Sequence, residues 1–164
     1  MNLGLDGIKA KPGGGSGKYP SVGGCKVAVL GSEVEQGKFG KQWRVDLKAV
    51  DFEDSNYKKW FSLEGQYAES GKASMKALFI KLSELNEGIL TDKEVESGSF
   101  DEKKLVNMEI GTVLKYNKKG YLNPTWFDTV EKVMAYVPTE AELIRPNAPA
   151  QSAPASNGSK PSPF

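Results

Sequence analysis

The order in which hydrophobic periodicity changes along the chain constrains its fold more than any other feature. Three segments alternate apolar and polar residues, one repeats apolar residues at helical spacing, and two more alternate again. Cys25 to Glu35 comes first, with Val27, Val29 and Gly31 set to share one face. In Gln42 to Asp51, Trp43, Val45, Leu47 and Ala49 point one way and Gln42, Arg44, Asp46 and Lys48 the other. Lys58 to Gly65 puts Phe61 and Leu63 on one face and Trp60, Ser62 and Glu64 on the opposite one.

From Ser74 to Asn86 the period becomes helical. Met75, Leu78, Phe79, Leu82 and Leu85 form one apolar stripe, with Ser74 or Ser70 suited to cap the start and Gly88 the end. Thr91-Asp92-Lys93-Glu94 has the form of a capping box for a short second helix. Alternation returns over Leu105 to Tyr116, with Val106, Met108, Ile110, Thr112, Leu114 and Tyr116 in phase. Asn117-Lys118-Lys119-Gly120 makes a hairpin turn and a fifth strand starts at Tyr121. Pro124 cannot donate to a ladder and marks an edge, a bulge or an end of pairing. Trp126 to Val137 fits either more strand or a short helix, and Thr139 to Ile144 suits one or two helical turns. The expected class is mainly β: a five-stranded OB-fold barrel with one helix between strands three and four. Residues 21–144 make that domain, behind a flexible Gly/Lys-rich leader (1–20) and ahead of a disordered Pro/Ala/Ser-rich tail (145–164).

Composition removes several chemistries. The 164 residues include no histidine, which excludes Ser-His and Cys-His nucleophiles and most zinc sites. The single Cys25 excludes an internal disulfide and reads as a small buried residue of a reducing compartment. Lys11-Pro12-Gly13-Gly14-Gly15-Ser16-Gly17-Lys18 fails as a phosphate loop: Pro12 replaces its first glycine, Tyr19 replaces the magnesium-binding hydroxyl, and no strand precedes it. Asp51, Glu53 and Asp54 lack the glycine and the closing glutamate of a calcium loop, so they read as a solvated turn. A metal-dependent nuclease built on them is the weakest alternative. No cofactor, metal or catalytic residue is expected, and the chain is expected not to be an enzyme. Neither a signal peptide nor a membrane span is expected.

Charge is unevenly spread. Residues 21–144 carry 17 basic and 20 acidic side chains, a net −3, which weighs against a polyanionic partner. Within them, 36–48 holds Lys38, Lys41, Arg44 and Lys48 against Asp46 alone, and 115–119 is purely basic. Acids gather instead at 84–102, predicting an acidic helical side opposite basic loops. Aromatic residues accompany the basic turns: Phe39 between Lys38 and Lys41, Tyr57 before Lys58 and Lys59, and Tyr121 after Lys118 and Lys119. Trp60 falls on the face of Arg44 and Lys48. Cations along phosphates and flat rings under bases are what single-stranded nucleic acid requires. Phe39, Tyr57, Trp60 and Tyr121 are therefore the candidate stacking rings. Lys38, Lys41, Arg44, Lys48, Lys58, Lys59, Lys118 and Lys119 are the candidate phosphate contacts. Trp43, Tyr116 and Trp126 are assigned to the core.

Gly37-Lys38-Phe39-Gly40-Lys41-Gln42-Trp43 leading into strand two, Lys118-Lys119-Gly120-Tyr121-Leu122-Asn123-Pro124 forming the last hairpin, and the element order carry a resemblance. Over residues 20–137 the chain resembles the small single-stranded DNA-binding proteins of bacteriophages. That resemblance implies an OB barrel binding single-stranded DNA with little sequence preference during replication or recombination, in the cytoplasm of a host cell, with self-association open. The ending Pro163-Phe164 is similar to the tail tip of bacterial single-stranded DNA-binding proteins, where it docks replication and repair proteins; the acids that precede it there are missing here. The competing expectation is a protein-interaction module on the same barrel, binding no nucleic acid.

Overall fold

The computed structural model describes residues 2–6 and 19–146. Most of the expected leader and tail, including the loop-like 11–18 stretch and Pro163-Phe164, lies outside those residues. Five strands, β1 (Gly23–Gly37), β2 (Gly40–Ala49), β3 (Asn56–Ser62), β4 (Glu109–Tyr116) and β5 (Leu122–Asp128), form one antiparallel sheet in the order β3-β2-β1-β4-β5. Helix α1 (Ala68–Leu85) and the short α2 (Asp92–Ser97) lie between β3 and β4; α3 (Val130–Met134) and α4 (Glu140–Leu143) follow β5. The class is mainly β, and the sheet is not closed: among the described residues no ladder joins β3 to β5. The two still approach within 8 Å between Cα atoms. Tracing directions through the four antiparallel pairings shows that they run parallel.

The inner face carries the core. Val27 and Val29 of β1, Trp43, Val45 and Leu47 of β2, Phe61 of β3, and Ile110 and Leu114 of β4 are all buried, and α1 closes over them with Leu78, Phe79 and Leu82. Trp43 is clamped by Phe61 (5.5 Å between ring centroids) and by the edge of Phe79 (5.3 Å). The expected stripe of α1 holds except at its end, where Leu85 is exposed. The helix starts six residues before Ser74, at Ala68, because Ala68 to Ala73 are mostly good helix formers although they carry no stripe. Its N-cap is Tyr67, without a side-chain cap, so neither proposed serine caps it. The capping boxes at Thr91 and Thr139 do form, opening α2 and α4.

Bulges account for the main departures from simple alternation. In β1, Leu30 is unpaired between Val29, opposite Leu47, and Gly31, opposite Asp46. Gly31 is thereby moved to the outer face, and Ser32 rather than Gly31 meets Val45 on the inner face. In β5, Thr125 is the extra residue between Pro124, opposite Leu114, and Trp126, opposite Val113. Fourth-strand pairing starts only at Glu109, because a 3-10 turn (Glu102–Leu105) and Asn107, at φ 70°, precede it. Val106 is consequently exposed rather than in phase.

The outer face of β1 and β4 is covered too. Helix α3, capped by Thr129, sets its fully buried Val133 against Gly24 and Gly111. A methyl group at Gly24 would run into the Val133 backbone, and one at Gly111 into the Thr129 carbonyl, so these glycines permit the contact. This is why β4 is buried on both faces from Ile110 to Leu114.

A strap follows. Glu142 of α4 accepts a hydrogen bond from the Tyr136 hydroxyl (2.6 Å), sits 2.9 Å from Lys115 Nζ, and accepts from the Thr139 backbone N–H (2.9 Å). Arg145, assigned by sequence to the tail, instead donates from Nε to the Gly120 carbonyl at 2.7 Å, which fastens the strap to the β4–β5 hairpin. The Tyr136 hydroxyl, the Thr139 N–H and the Lys115 ammonium hold the Glu142 carboxyl down at about 2, against an ordinary 4.5. A depressed carboxylate stabilises its folded contacts fully above the unfolded value and loses that stabilisation as pH falls through the folded one. We expect α4 to detach between about pH 4.5 and pH 2, read by NMR shifts of Leu143 and Ile144, and Glu142→Gln to remove that transition. Unchanged Leu143 and Ile144 signals down to pH 2 would disprove the latch.

Candidate functional site

β3 is an edge strand, so both of its faces border the open seam opposite β5. Its outward residues are Lys58 and Trp60; its inward ones are Tyr57, Lys59 and Phe61. Two clefts lie along the seam and share Trp60. The first, about 680 Å³, lies toward the β4–β5 hairpin and is bordered by Tyr19, Tyr57, Trp60, Tyr116 and Tyr121, with Lys58 and Arg145 as cations and Asp54 as an acid. The second, about 470 Å³, is bordered by Lys59, Trp60 and Phe61 of β3 and by Thr125, Trp126 and Phe127 of β5. The side of α1 bearing Tyr67, Ser70, Gly71, Ser74 and Ala77 also lines it. Beyond that end stands the β1–β2 hairpin, whose Lys41 N–H donates to Glu64 Oε1 at 2.9 Å.

The structure thus gathers Tyr57, Lys58, Trp60 and Tyr121 in one cleft and sets Lys59 in the next. Trp60 is 46% exposed, and its indole N–H donates to Glu35 Oε2 at 2.9 Å, which fixes the ring on the surface. Tyr121 is 49% exposed at the hairpin carrying Lys118 and Lys119. Tyr57 is half-buried against the core, and burial pushes its hydroxyl up to about 12, so it stays protonated. Lys38 and Phe39 form the two-residue tip between the paired Gly37 and Gly40; Phe39 is 71% exposed, with the Lys38 ammonium 5.6 Å from its ring centre. Neither residue lines the seam, nor do Lys41 and Lys48, which are exposed elsewhere.

Arg44 is positioned differently from the sequence expectation. It points outward as its parity requires, but its guanidinium is bound by Glu35 (2.6 Å), Asp46 (2.9 Å) and Glu33 (3.0 Å). Glu35 and Glu33 come from β1, which pairs with β2 in a register the sequence does not announce. A cation held by three carboxylates attracts phosphate weakly. Glu35 in turn is held below the usual carboxylate range, first by the Trp60 indole N–H and the Gln42 amide, and also by Arg44. This part of the outer face is an ion-pair lattice. The acids of 84–102 are also partly neutralised, Glu94 by Lys104 (2.8 Å) and Glu96 by Lys76 (2.9 Å).

Sequence reasoning missed Trp126 and Tyr67 and misread Tyr116. Counted outward from buried Pro124, strict alternation would turn Trp126 inward; the bulge at Thr125 turns Phe127 inward instead and leaves Trp126 37% exposed, edge-on to Tyr136. Tyr116 is half-buried and borders the first cleft. Pro124 was the only sequence signal of such a bulge. Asp51, Glu53 and Asp54 stay on the β2–β3 turn, and among the described residues no cluster of three His, Cys, Asp or Glu side chains could hold a metal ion. Cys25 is buried, which pushes its thiol up to about 11 and keeps it protonated. Among the described residues no helix is long and apolar enough to cross a membrane. No protein-family model matches the chain, and no curated protein does.

Proposed function

We propose that this protein binds single-stranded nucleic acid, single-stranded DNA by its resemblance to the phage proteins, with little sequence preference and without enzymatic activity. The strand would follow the β3–β5 seam. In this reading the sheet is an OB barrel left open at that seam, and the opening is the groove. One observation carries it: five rings and two cations border a single cleft on which four sequence-nominated residues converge. Stacked bases contribute about 1–3 kcal/mol each whatever their identity, which accounts for weak sequence preference. A role in phage replication or recombination follows from the resemblance alone.

Lys58 and Arg145 border the first cleft and Lys119 lies on its hairpin. Three phosphate contacts at about 0.7 each give an expected slope of roughly −2 for log Kobs against log salt. Titration with oligo-dT at low and moderate salt should quench emission from exposed Trp60 and Trp126 with that salt sensitivity. No quench and no salt-sensitive binding would overturn the proposal.

A second reading, a protein-interaction module, draws on the lattice around Arg44 and the net −3 of residues 21–144. Co-purification with a protein partner, without any nucleic-acid mobility shift, would favour it.

A further inference from the structure

The second cleft differs from the first in its charged residues: Lys59 and Lys81 line it, and among the described residues no carboxylate does. Lys59 is on the inner face, opposite the fully buried Val45, and is half-buried where it lines the cleft. Among the described residues no carboxylate pairs with it. The other cation in the cleft, Lys81, is already taken by Glu84 (3.2 Å) and Asp128 (3.7 Å). Burial holds the Lys59 amine below the ordinary lysine value, and among the described residues no anion offsets that cost. An unpaired, half-buried ammonium is destabilising unless something negative joins it.

Around this cation the cleft is built from flat rings and small residues. Trp60 and Trp126 project outward from the two strands that flank the seam. Below them, Ser70, Gly71, Ser74 and Ala77 give α1 a low surface, and Gly71 lets the helix approach the Ser62 backbone closely. At about 470 Å³ the space falls within the roughly 300–1,000 Å³ of small-ligand sites. Among the described residues one unpaired cation lines the cleft, which matches one phosphate and not a run of them. A phosphate in mid-strand would need the backbone both to descend to the inner face and to return. A phosphate at a strand end needs one passage only.

We propose that this cleft receives the terminal nucleotide of a bound single strand, its base against Trp60 and Trp126 and its terminal phosphate on Lys59. This rests on the nucleic-acid reading above and adds to it a preference for phosphorylated ends. The test compares oligo-dT of one length carrying no terminal phosphate, a 5′-phosphate or a 3′-phosphate, by Trp fluorescence at fixed salt, on the wild-type chain and on Lys59→Met. Removing an unpaired charge is expected to leave Lys59→Met at least as stable, which thermal unfolding checks. A terminal phosphate at one end should tighten wild-type binding about tenfold, as expected for a charge-assisted hydrogen bond in a partly buried site, and Lys59→Met should abolish the difference. Equal affinities for all three oligomers, or a gain that survives Lys59→Met, would overturn the end-binding site while leaving groove binding intact. Absence of binding by every oligomer would overturn both.

Discussion

Trp60→Ala is expected to weaken single-stranded DNA binding about ten- to hundredfold with little change in stability. Its indole borders both clefts, so its removal takes a ring from each and interrupts the path between them. That loss of affinity corresponds to about 1.4–2.7 kcal/mol, within the roughly 1–3 kcal/mol of a stacked base. The fold should tolerate the loss because the side chain is 46% exposed and makes one hydrogen bond, to Glu35. Exposed substitutions of this kind usually change stability by less than about 1 kcal/mol. Oligo-dT titration beside a urea midpoint checks both halves. An unchanged affinity would remove Trp60 as a platform.

Trp43→Ala, seventeen positions earlier in the sequence, should do the opposite. Trp43 is 5% exposed and packs between Phe61 and Phe79, which continues the aromatic chain to Phe100. Truncating a buried tryptophan typically costs about 3–5 kcal/mol, of the same order as the roughly 5–15 kcal/mol that holds a domain together. The variant is expected to be marginally folded at best at 37 °C, whatever its ligand. A urea midpoint shift worth less than about 1 kcal/mol would mean that the core closes around the gap.

These two tryptophans mark how far alternation can be read. Period two assigned Trp43 inward and Trp60 outward from their immediate neighbours, and both assignments hold because no bulge interrupts either stretch. Strands one to four and the main helix were legible for the same reason, residues in phase; the fifth strand was placed only by the turn before Tyr121 and by Pro124. Gly31 and Trp126 were misplaced because one unpaired residue, Leu30 or Thr125, inverts everything after it. Arg44 shows another limit. Its face was right, but the carboxylates that occupy it lie on a neighbouring strand, and only register reveals them. The seam itself was invisible, since whether β3 meets β5 depends on how strongly the whole sheet curls. Lys59 illustrates the result: in the sequence it was one of many cations, and its isolation becomes apparent only beside that gap.

The absence of a ladder between β3 and β5 has a mechanical consequence. In a fully bonded cylinder, girth is quantised by strand number and stagger. Here no ladder among the described residues fixes the spacing of β3 and β5, and side chains of both strands, with Ser74 and Ala77 of α1, line the gap. Aperture therefore becomes adjustable by point substitution, so the same scaffold can be regauged for a thicker or thinner guest without altering its backbone connectivity.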